Sequence, residues 1–252
     1  MNDLSRHSKN ISQEGFSIVN NVYSNDEINK LKSLLEINVD AKPTFRKSVE
    51  LYAVRQFLKG FPLTKEILFN NNLVEIINQL FGKQYFIVKS NYFDKPETSN
   101  WFVSYHQDLT ISVDKKFEIK DFGPWTVKSD QFAVQPPIRY LRNIYTIRIH
   151  LDDTNGENGA LRVIPRSHSN GIFRADTIDW KEEKETECEV KQGGIMIMKP
   201  LLMHGSSRTT NNKRRRVIHL EFSDLELPEG LNWAEKENLT DVRISFDGHI
   251  EQ

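Results

Sequence analysis

The residues of this chain best suited to chemistry are His106 and Asp108, which stand two positions apart in the run WFVSYHQDLT over residues 101–110. The run is rich in aromatic residues and alternates as a β-strand does, and side chains at positions i and i+2 of a strand point to the same side. One imidazole nitrogen and one carboxylate oxygen are therefore predicted to face a common point. Many His-x-Asp pairs occur by chance, so a metal site here requires a further ligand from a distant part of the chain.

His204 is the best candidate for that ligand, because it follows a buried strand pattern and precedes Gly205, which allows close approach of backbone or ligand. Two histidines and one carboxylate form the facial triad that leaves positions open on non-haem iron(II). Arg215 begins the last strong strand pattern, and its guanidinium fork suits a carboxylate. Taken singly, His204 fits a core or loop histidine, and Arg215 fits an exposed charge in a basic turn. Only their joint occurrence with His106 and Asp108 favours a site.

Segments with helical spacing come first in the chain, and segments with strand spacing follow. Ser24 and Glu27 form a capping-box pattern ahead of an apolar helical stripe, and a second helical region is predicted over residues 63–81. From about Gln84 the apolar period changes to two, with short strand patterns at intervals that suit a β-sandwich or barrel. We predict a single domain over residues 1–252, with a disordered segment at about 1–13, a helical support region at about 14–83 and a strand-rich core at about 84–224.

Two long polar segments are predicted to shape a substrate pocket. Residues 114–137 are mixed and contain Pro and Gly, and residues 169–187 are polar and charged. Connections of this length inside one domain are usually functional. Arg148 and Arg162, which lie in strand patterns, are candidates for substrate contact, although charges on strand faces are more often paired or solvated.

Several other reactive residue types are interpreted as structural. His150 and Asp152 form a second His-x-Asp pair, but it borders an Asp-rich turn in which Asp side chains bond nearby backbone groups. His168 and His219 are also assigned structural roles. Cys188 has no neighbouring base, so it is not expected to be a nucleophile.

The composition excludes several classes of protein. The formal net charge is −1, from 34 basic and 35 acidic residues, which argues against general binding of nucleic acid. The single cysteine excludes an intrachain disulfide framework and a cysteine-rich zinc site. No stretch approaches about 18 apolar residues, and the N-terminus lacks an apolar signal region, so no membrane partner or secretory signal is predicted. We expect a cytoplasmic protein that acts on a small molecule; the oligomeric state does not follow from the sequence.

Several motifs together resemble the phytanoyl-CoA dioxygenase (PhyH) family of iron(II)- and 2-oxoglutarate-dependent oxygenases. Over roughly residues 94–222, their order and spacing agree with that family as well as their residue types. The motifs are His106-Gln107-Asp108, Leu151-Asp152-Asp153, Glu157 to Pro165 followed by Ser167-His168, His204-Gly205-Ser206, and Arg215 to Leu220. Tyr105 stands where many members have Trp, and Arg166 stands where Gly is usual, but neither departure removes a ligand.

The resemblance implies a mainly β fold with flanking α-helices, the double-stranded β-helix or cupin-like jelly roll. The residues that it assigns are His106, Asp108 and His204 to Fe(II), Arg215 and Ser206 to 2-oxoglutarate, and Gln107 and Trp125 to the lining of the pocket. The implied reaction consumes dioxygen (O2) and 2-oxoglutarate, releases succinate and carbon dioxide, and hydroxylates an aliphatic C–H bond. Within that resemblance the carboxylate of Asp108 favours hydroxylation or a related oxidation, since halogenating relatives have a small residue there.

Two other functions remain open from the sequence. A non-catalytic jelly-roll protein that binds a ligand and has lost turnover would keep the fold, although the complete set of four site residues argues against it. A zinc hydrolase accepts two His and a carboxylate, but it would leave Arg215 with no dicarboxylate to hold. The resemblance does not specify the substrate, since relatives act on small metabolites, amino-acid derivatives and natural products as well as acyl-CoA.

Overall fold

The computed structural model of the protein describes residues 4–37, 45–47, 52–97, 102–128 and 131–239. Its α-helices are α1 (Leu4–Glu14), α2 (Asn25–Ile37), α3 (Phe57–Gly60), α4 (Lys65–Leu68), α5 (Asn71–Leu80) and α6 (Ile138–Asn143). Its strands are β1 (Phe16–Val19), β2 (Phe45–Lys47), β3 (Tyr52–Arg55), β4 (Phe86–Lys95), β5 (Val103–His106), β6 (Ile111–Val113), β7 (Trp125–Lys128), β8 (Gln131–Val134), β9 (Tyr145–His150), β10 (Leu161–Val163), β11 (Thr186–Cys188), β12 (Ile195–Met198), β13 (His204–Ser206), β14 (Arg215–Ser223) and β15 (Glu237–Asn238). Within these ranges, no helix has both the length and the apolar character needed to cross a membrane.

Two antiparallel sheets face each other and enclose the interior of the domain. The larger sheet has the order β1-β12-β9-β14-β4-β3-β2, with β15 also paired to β4, and the smaller sheet has the order β11-β10-β13-β5. Leu161 and Val163 of the smaller sheet share an apolar cluster with Met196 and Met198 of the larger sheet, so the inner faces pack together. This arrangement, mainly β with flanking helices, confirms the expected jelly-roll fold class.

The outer face of the larger sheet is covered by the helices. Ile147, Ile149 and Ile218 of β9 and β14 are fully buried there in one cluster with Leu31 of α2 and Ile77 of α5. Because successive side chains of a strand point to opposite faces, the residues between these apolar positions face the interior. The inner rows are polar: Thr146, Arg148 and His150 on β9, and Arg215, His219 and Glu221 on β14.

Residues 4–14 form helix α1, so the prediction of a disordered segment at about 1–13 is wrong for the residues that the structure describes. Ile11 is buried in the main core cluster, and Leu4 packs against the same cluster. Leu4 and Ile11 are seven residues apart, and two apolar residues do not form a stripe wide enough to predict an amphipathic helix from the sequence. Packing against the rest of the domain therefore determines this helix.

Three other segments differ from the patterns read in the sequence. The helical region at 63–81 is divided, because Asn70 leaves the helix and its side chain accepts from the backbone N–H of Leu73 at 2.9 Å, which caps α5. The segment at 114–137 contains β7 and β8, which form a three-stranded sheet with β6. Of the strand predicted at 101–110, β5 covers Val103–His106, and Trp101 lies outside the described residues.

Candidate active site

Three potential metal ligands, His106, Asp108 and His204, come together at the edge of the smaller sheet. Strands β5 and β13 pair antiparallel, and His106 lies directly opposite His204 in that pairing. Asp108 follows β5, where its backbone N–H donates to the carbonyl of Pro200 at 2.9 Å. One ligand atom from each of the three residues lies within 4.8 Å of the others, and no other such group of His, Cys, Asp or Glu occurs among the described residues.

Both histidines present an unprotonated Nε2 to the space between the three side chains. Nδ1 of His106 lies 2.8 Å from the carbonyl of Ser104, and Nδ1 of His204 lies 2.9 Å from the carbonyl of Leu202. A carbonyl only accepts, so in each neutral ring the proton is on Nδ1 and the Nε2 lone pair is free. Each Nε2 lies 3.8 Å from an oxygen of Asp108, beyond hydrogen-bond distance. The three groups therefore surround a space without bonding to one another, as ligands of a metal ion do.

The charges around the cluster favour the protonation states that bind a metal. Burial alone would raise the pKa of Asp108, but the basic groups beside it, among them His204 and Lys89, outweigh burial and hold that pKa well below its usual range. Burial lowers the pKa of His204 to about 4, although Asp108 opposes this shift. An ionised carboxylate and a neutral imidazole are the forms that coordinate divalent metals.

Arg215 is a buried cation that lacks an anionic partner among the described residues. Its exposure is 8%, and its Nε and Nη1 atoms have no hydrogen-bond partner there. Burial, with a contribution from the charge of Arg148, lowers the pKa of Arg215 to about 9. Buried charges are normally paired, because an unpaired one is strongly unfavourable. The guanidinium group is therefore available to an acceptor that comes from outside the chain.

Lys95 and Ser206 are further buried residues of this part of the interior. Lys95 is the cross-strand partner of Arg215, and its Nζ donates to the carbonyl of Ser207 at 2.8 Å. Burial and the charge of Arg215 lower the pKa of Lys95 to about 8. Ser206, which was predicted from the resemblance, is buried on β13. Lys95 could not be predicted from the sequence, because only the register of β4 against β14 places it opposite Arg215.

Gln107 and Trp125 were expected to line the co-substrate pocket, but the structure gives their side chains other contacts. The amide nitrogen of Gln107 donates to the carbonyls of Gly171 at 2.8 Å and Leu201 at 2.7 Å. Its amide oxygen accepts from the backbone N–H of Phe173 at 3.1 Å, so all of its polar atoms bind backbone. Gln107 thus fastens the segment that follows residue 170 to the strand of the metal ligands. Trp125 packs against the apolar cluster of β6 and β8, and its place in the pocket stays a prediction.

Arg148 and Arg162, the two candidates for substrate contact, lie in different environments. Arg148 is 8% exposed on the inner face of β9, where its Nη1 lies 3.3 Å from Nδ1 of His219 and its Nε has no partner among the described residues. Arg162 is half-buried and its Nη1 donates to Glu185 at 3.0 Å. His219, interpreted as structural from the sequence, is therefore an interior residue. The sequence could have predicted this interior position, because His219 is two residues from Val217 and four from Arg215 and so lies on the same strand face as both.

The second His-x-Asp pair, His150 and Asp152, does not form a metal site in the described residues. Nδ1 of His150 lies 2.8 Å from the hydroxyl of Thr154. Asp152 accepts from Nε of Arg216 at 2.9 Å and from Nη2 at 2.8 Å, and Lys32 lies 3.0 Å from the same carboxylate. These bonds make Asp152 a structural anchor between β14 and α2, as the sequence interpretation expected.

Solved structures with the same fold include three relevant proteins. The non-heme alpha ketoglutarate dependent carbocyclase SnoK from nogalamycin biosynthesis is 14% identical, and the alignment covers 89% of this chain and 85% of SnoK with a TM-score of 0.67. The epimerase SnoN, solved with Fe3+, alpha ketoglutarate and nogalamycin RO, is 14% identical over 88% of this chain and 83% of SnoN, with a TM-score of 0.65. EctD from S. alaskensis, solved with 2-oxoglutarate and 5-hydroxyectoine, is 18% identical over 88% of this chain and 78% of EctD, with a TM-score of 0.68. At these identities the likeness establishes the fold.

Family membership is established by the sequence itself. A search of curated proteins finds no match to the chain. The sequence profile of the family described as phytanoyl-CoA dioxygenase (PhyH) matches residues 11–217, which include the three potential metal ligands and Arg215. The chain therefore belongs to the phytanoyl-CoA dioxygenase (PhyH) family.

Proposed function

We propose that the protein is an iron(II)- and 2-oxoglutarate-dependent dioxygenase that hydroxylates an aliphatic C–H bond of a small-molecule substrate. One observation carries the proposal: a two-His-one-carboxylate cluster shares the interior with a buried arginine that has no anion among the described residues. PhyH family membership supports this class of reaction. The solved structures of SnoN and EctD, which contain alpha ketoglutarate or 2-oxoglutarate, support the choice of co-substrate.

His106, Asp108 and His204 would hold the iron(II) ion. Two imidazole nitrogens and one carboxylate oxygen are the donor set of the facial triad, which leaves the remaining positions for co-substrate and dioxygen. The carbonyls of Ser104 and Leu202 fix the two rings with Nε2 facing the space that the ion would occupy. Zinc accepts the same donors, but a zinc hydrolase would give Arg215 no function.

Arg215 and Ser206 would hold the distal carboxylate of 2-oxoglutarate. A guanidinium fork can donate two parallel hydrogen bonds to one carboxylate, and the free Nε of Arg215 belongs to such a fork. When bound, iron(II) and 2-oxoglutarate together supply the oxidising chemistry, in which dioxygen is consumed, succinate and carbon dioxide are released and the substrate gains a hydroxyl group. The apolar cluster around Val163, Met196 and Leu202 keeps water out of the adjoining interior.

The substrate would enter between β4 and β5, where the interior opens to solvent. On β4 the outward residues Ser90 and Tyr92 are buried, whereas the inward residues Asn91 and Phe93 are only half-buried. The side chains of His106 and Asp108 on the opposite side of this opening are 41% and 27% exposed. A substrate bound in this opening would lie next to the metal ligands.

The test is a screen of metabolite fractions for substrate-stimulated release of succinate, with protein that is loaded with iron(II) under anaerobic conditions. We expect one fraction to stimulate succinate release, and we expect the product to gain the mass of one oxygen atom. The gain of oxygen distinguishes hydroxylation from the reactions of the epimerase SnoN and the carbocyclase SnoK. His106→Ala should lose both bound iron and turnover, and unchanged iron content would refute the ligand assignment. Binding of iron and 2-oxoglutarate without turnover in any fraction would identify the alternative, a non-catalytic binding protein.

A further inference from the structure

We infer that Arg148 is a second carboxylate-binding residue of the interior, and that it holds the keto-acid end of 2-oxoglutarate while Arg215 holds the distal end. The inference rests on the proposed function, because it concerns the same co-substrate. It assigns Arg148 to the co-substrate rather than to the primary substrate, which was the expectation from the sequence.

The first observation is a group of buried polar atoms without partners on two neighbouring strands. Within the described residues, Nε of Arg148, Oγ1 of Thr146 and Nε2 of His150 on β9 have no hydrogen-bond partner. Nε and Nη1 of Arg215 on β14 also have no hydrogen-bond partner among these residues. Buried polar atoms in proteins are almost always bonded. Their concentration on the inner face of β9 and β14 indicates a volume that a polar ligand fills.

The second observation is that one edge of the Arg148 guanidinium is fixed by the protein. Nη1 of Arg148 can only donate, so Nδ1 of His219, at 3.3 Å, is the acceptor and the proton of this ring is on Nε2. That Nε2 donates to Glu221 at 3.1 Å, and Glu221 also accepts from Lys89 at 2.8 Å. The chain of contacts holds Arg148 through its Nη1 and leaves its Nε for a ligand.

The third observation is the charge balance of this chain of contacts. Glu221 carries one negative charge, and Lys89 in direct contact with it carries one positive charge. His219 is neutral when its Nδ1 accepts a hydrogen bond. The positive charge of Arg148 is therefore not balanced within the chain of contacts, and the carboxylate of Asp108 acts on it without a hydrogen bond, so its ligand is expected to be an anion.

The position of Arg148 between Arg215 and the metal ligands identifies which anion. His219 is the cross-strand partner of Arg148, and Arg215 lies four residues earlier on the same strand. Four residues of strand span about 13 Å. The charge of Arg148 acts on Arg215 and also on His204, so it lies within electrostatic range of both ends of the pocket. A dicarboxylate held by Arg215 at one end and by the metal at the other would therefore lie within range of this guanidinium charge.

The burial of Arg148 separates it from the substrate opening. Asn91 and Phe93 on β4 are half-buried beside that opening, whereas Arg148 is 8% exposed and lies on β9, on the far side of β14. A ligand bound to Arg148 must therefore occupy the closed part of the interior, which is the part that also contains Arg215.

The experiment compares two ligands by calorimetry on anaerobic, iron(II)-loaded protein. 2-Oxoglutarate has both carboxylates, and pyruvate has only the keto-acid end. We expect Arg148→Gln to weaken the binding of both ligands by about tenfold or more, because each loses a charge-assisted hydrogen bond. Arg215→Gln should weaken 2-oxoglutarate alone, and Arg142→Gln, an exposed position on α6, should change neither affinity.

Unchanged affinity of Arg148→Gln for pyruvate would overturn the inference. Loss of bound iron in this variant would also overturn it, since Arg148 would then support the fold of the metal site. Arg148→Lys keeps the charge without the fork, so it should recover part of the affinity for pyruvate. Failure of the unaltered protein to bind 2-oxoglutarate in the presence of iron would instead refute the proposed function, and this outcome is read before any variant is compared.

Discussion

Arg215 and Arg216 are consecutive residues of β14 whose guanidinium groups have opposite surroundings. Arg216 donates from Nε and Nη2 to the two oxygens of Asp152 at 2.9 and 2.8 Å, whereas Nε and Nη1 of Arg215 meet no acceptor among the described residues. Consecutive side chains of a strand point to opposite faces. One arginine therefore stabilises the contact with α2, and the other faces the interior and is available to a ligand.

Substitution of each arginine by glutamine should separate these two roles. Arg216→Gln should lower the free energy of unfolding by about 1–3 kcal/mol, because it removes charged hydrogen bonds from the largely buried Asp152. Arg215→Gln should leave the stability of the ligand-free protein unchanged or raised, because it removes an unpaired buried charge. Urea denaturation measures both effects. Equal destabilisation by the two substitutions would show that Arg215 also has a structural partner.

The two His-x-Asp pairs should differ in their effect on bound metal. His204→Ala should abolish iron binding, because it removes the buried ligand of the facial triad. His150→Asn should retain one iron ion per chain, since Asp152 beside it is occupied by Arg216. Metal analysis of protein purified without oxygen gives the stoichiometry. Loss of iron in His150→Asn would instead indicate that the metal binds at His150 and Asp152.

Gln107 should act through the segment that it holds rather than through the co-substrate. Gln107→Ala leaves the carbonyl of Leu201 and the N–H of Phe173 without their side-chain partners, so we expect a loss of about 1–3 kcal/mol in stability. Trypsin should then cleave faster after Arg174 and Lys181, which follow the released segment. Gln79→Ala, on the exposed face of α5, is the control. An unchanged cleavage rate would mean that other contacts hold this segment.

Lys199 should make the stability of the protein depend on pH. Its Nζ lies 3.7 Å from the centre of the Tyr145 ring, and burial lowers its pKa to about 7. Above that pH the folded protein loses a proton that the unfolded chain keeps up to about pH 10.4. The free energy of unfolding should therefore rise with pH across this window, by at most about 1.4 kcal/mol per pH unit for one proton. Lys199→Met should reduce the slope; the same slope in both proteins would assign it to another group.

The residues that could be predicted from the sequence are those whose signal is local. His106 and Asp108 lie near each other because they are two residues apart, although Asp108 follows the end of β5, and the alternation of β9 and β14 follows from their apolar pattern. His204 and Arg215, which are distant in the chain, were candidates from their positions in strand patterns, and the resemblance to a family assigned their roles. For these residues the motif and its spacing were sufficient.

The remainder of the site depends on cross-strand register, which cannot be predicted from the local patterns of a single sequence. Lys95 opposes Arg215, and Arg148 opposes His219, only because β14 lies between β4 and β9 in one particular alignment. A shift of one residue would turn these side chains to the opposite face. The backbone partners of Gln107 at 171, 173 and 201 could not be predicted for a related reason, since the fold brings them near it.

The metal cluster is asymmetric with respect to solvent. His106 lies on β5, the edge strand of the smaller sheet, and its side chain is 41% exposed, whereas that of His204 on the inner strand β13 is 5% exposed. An ion that arrives from solution meets the edge ligands first and the inner imidazole last, and it departs in the reverse order. Chelators should therefore remove the metal while both sheets stay intact. The rate of removal should be set by release of the ion from Nε2 of His204.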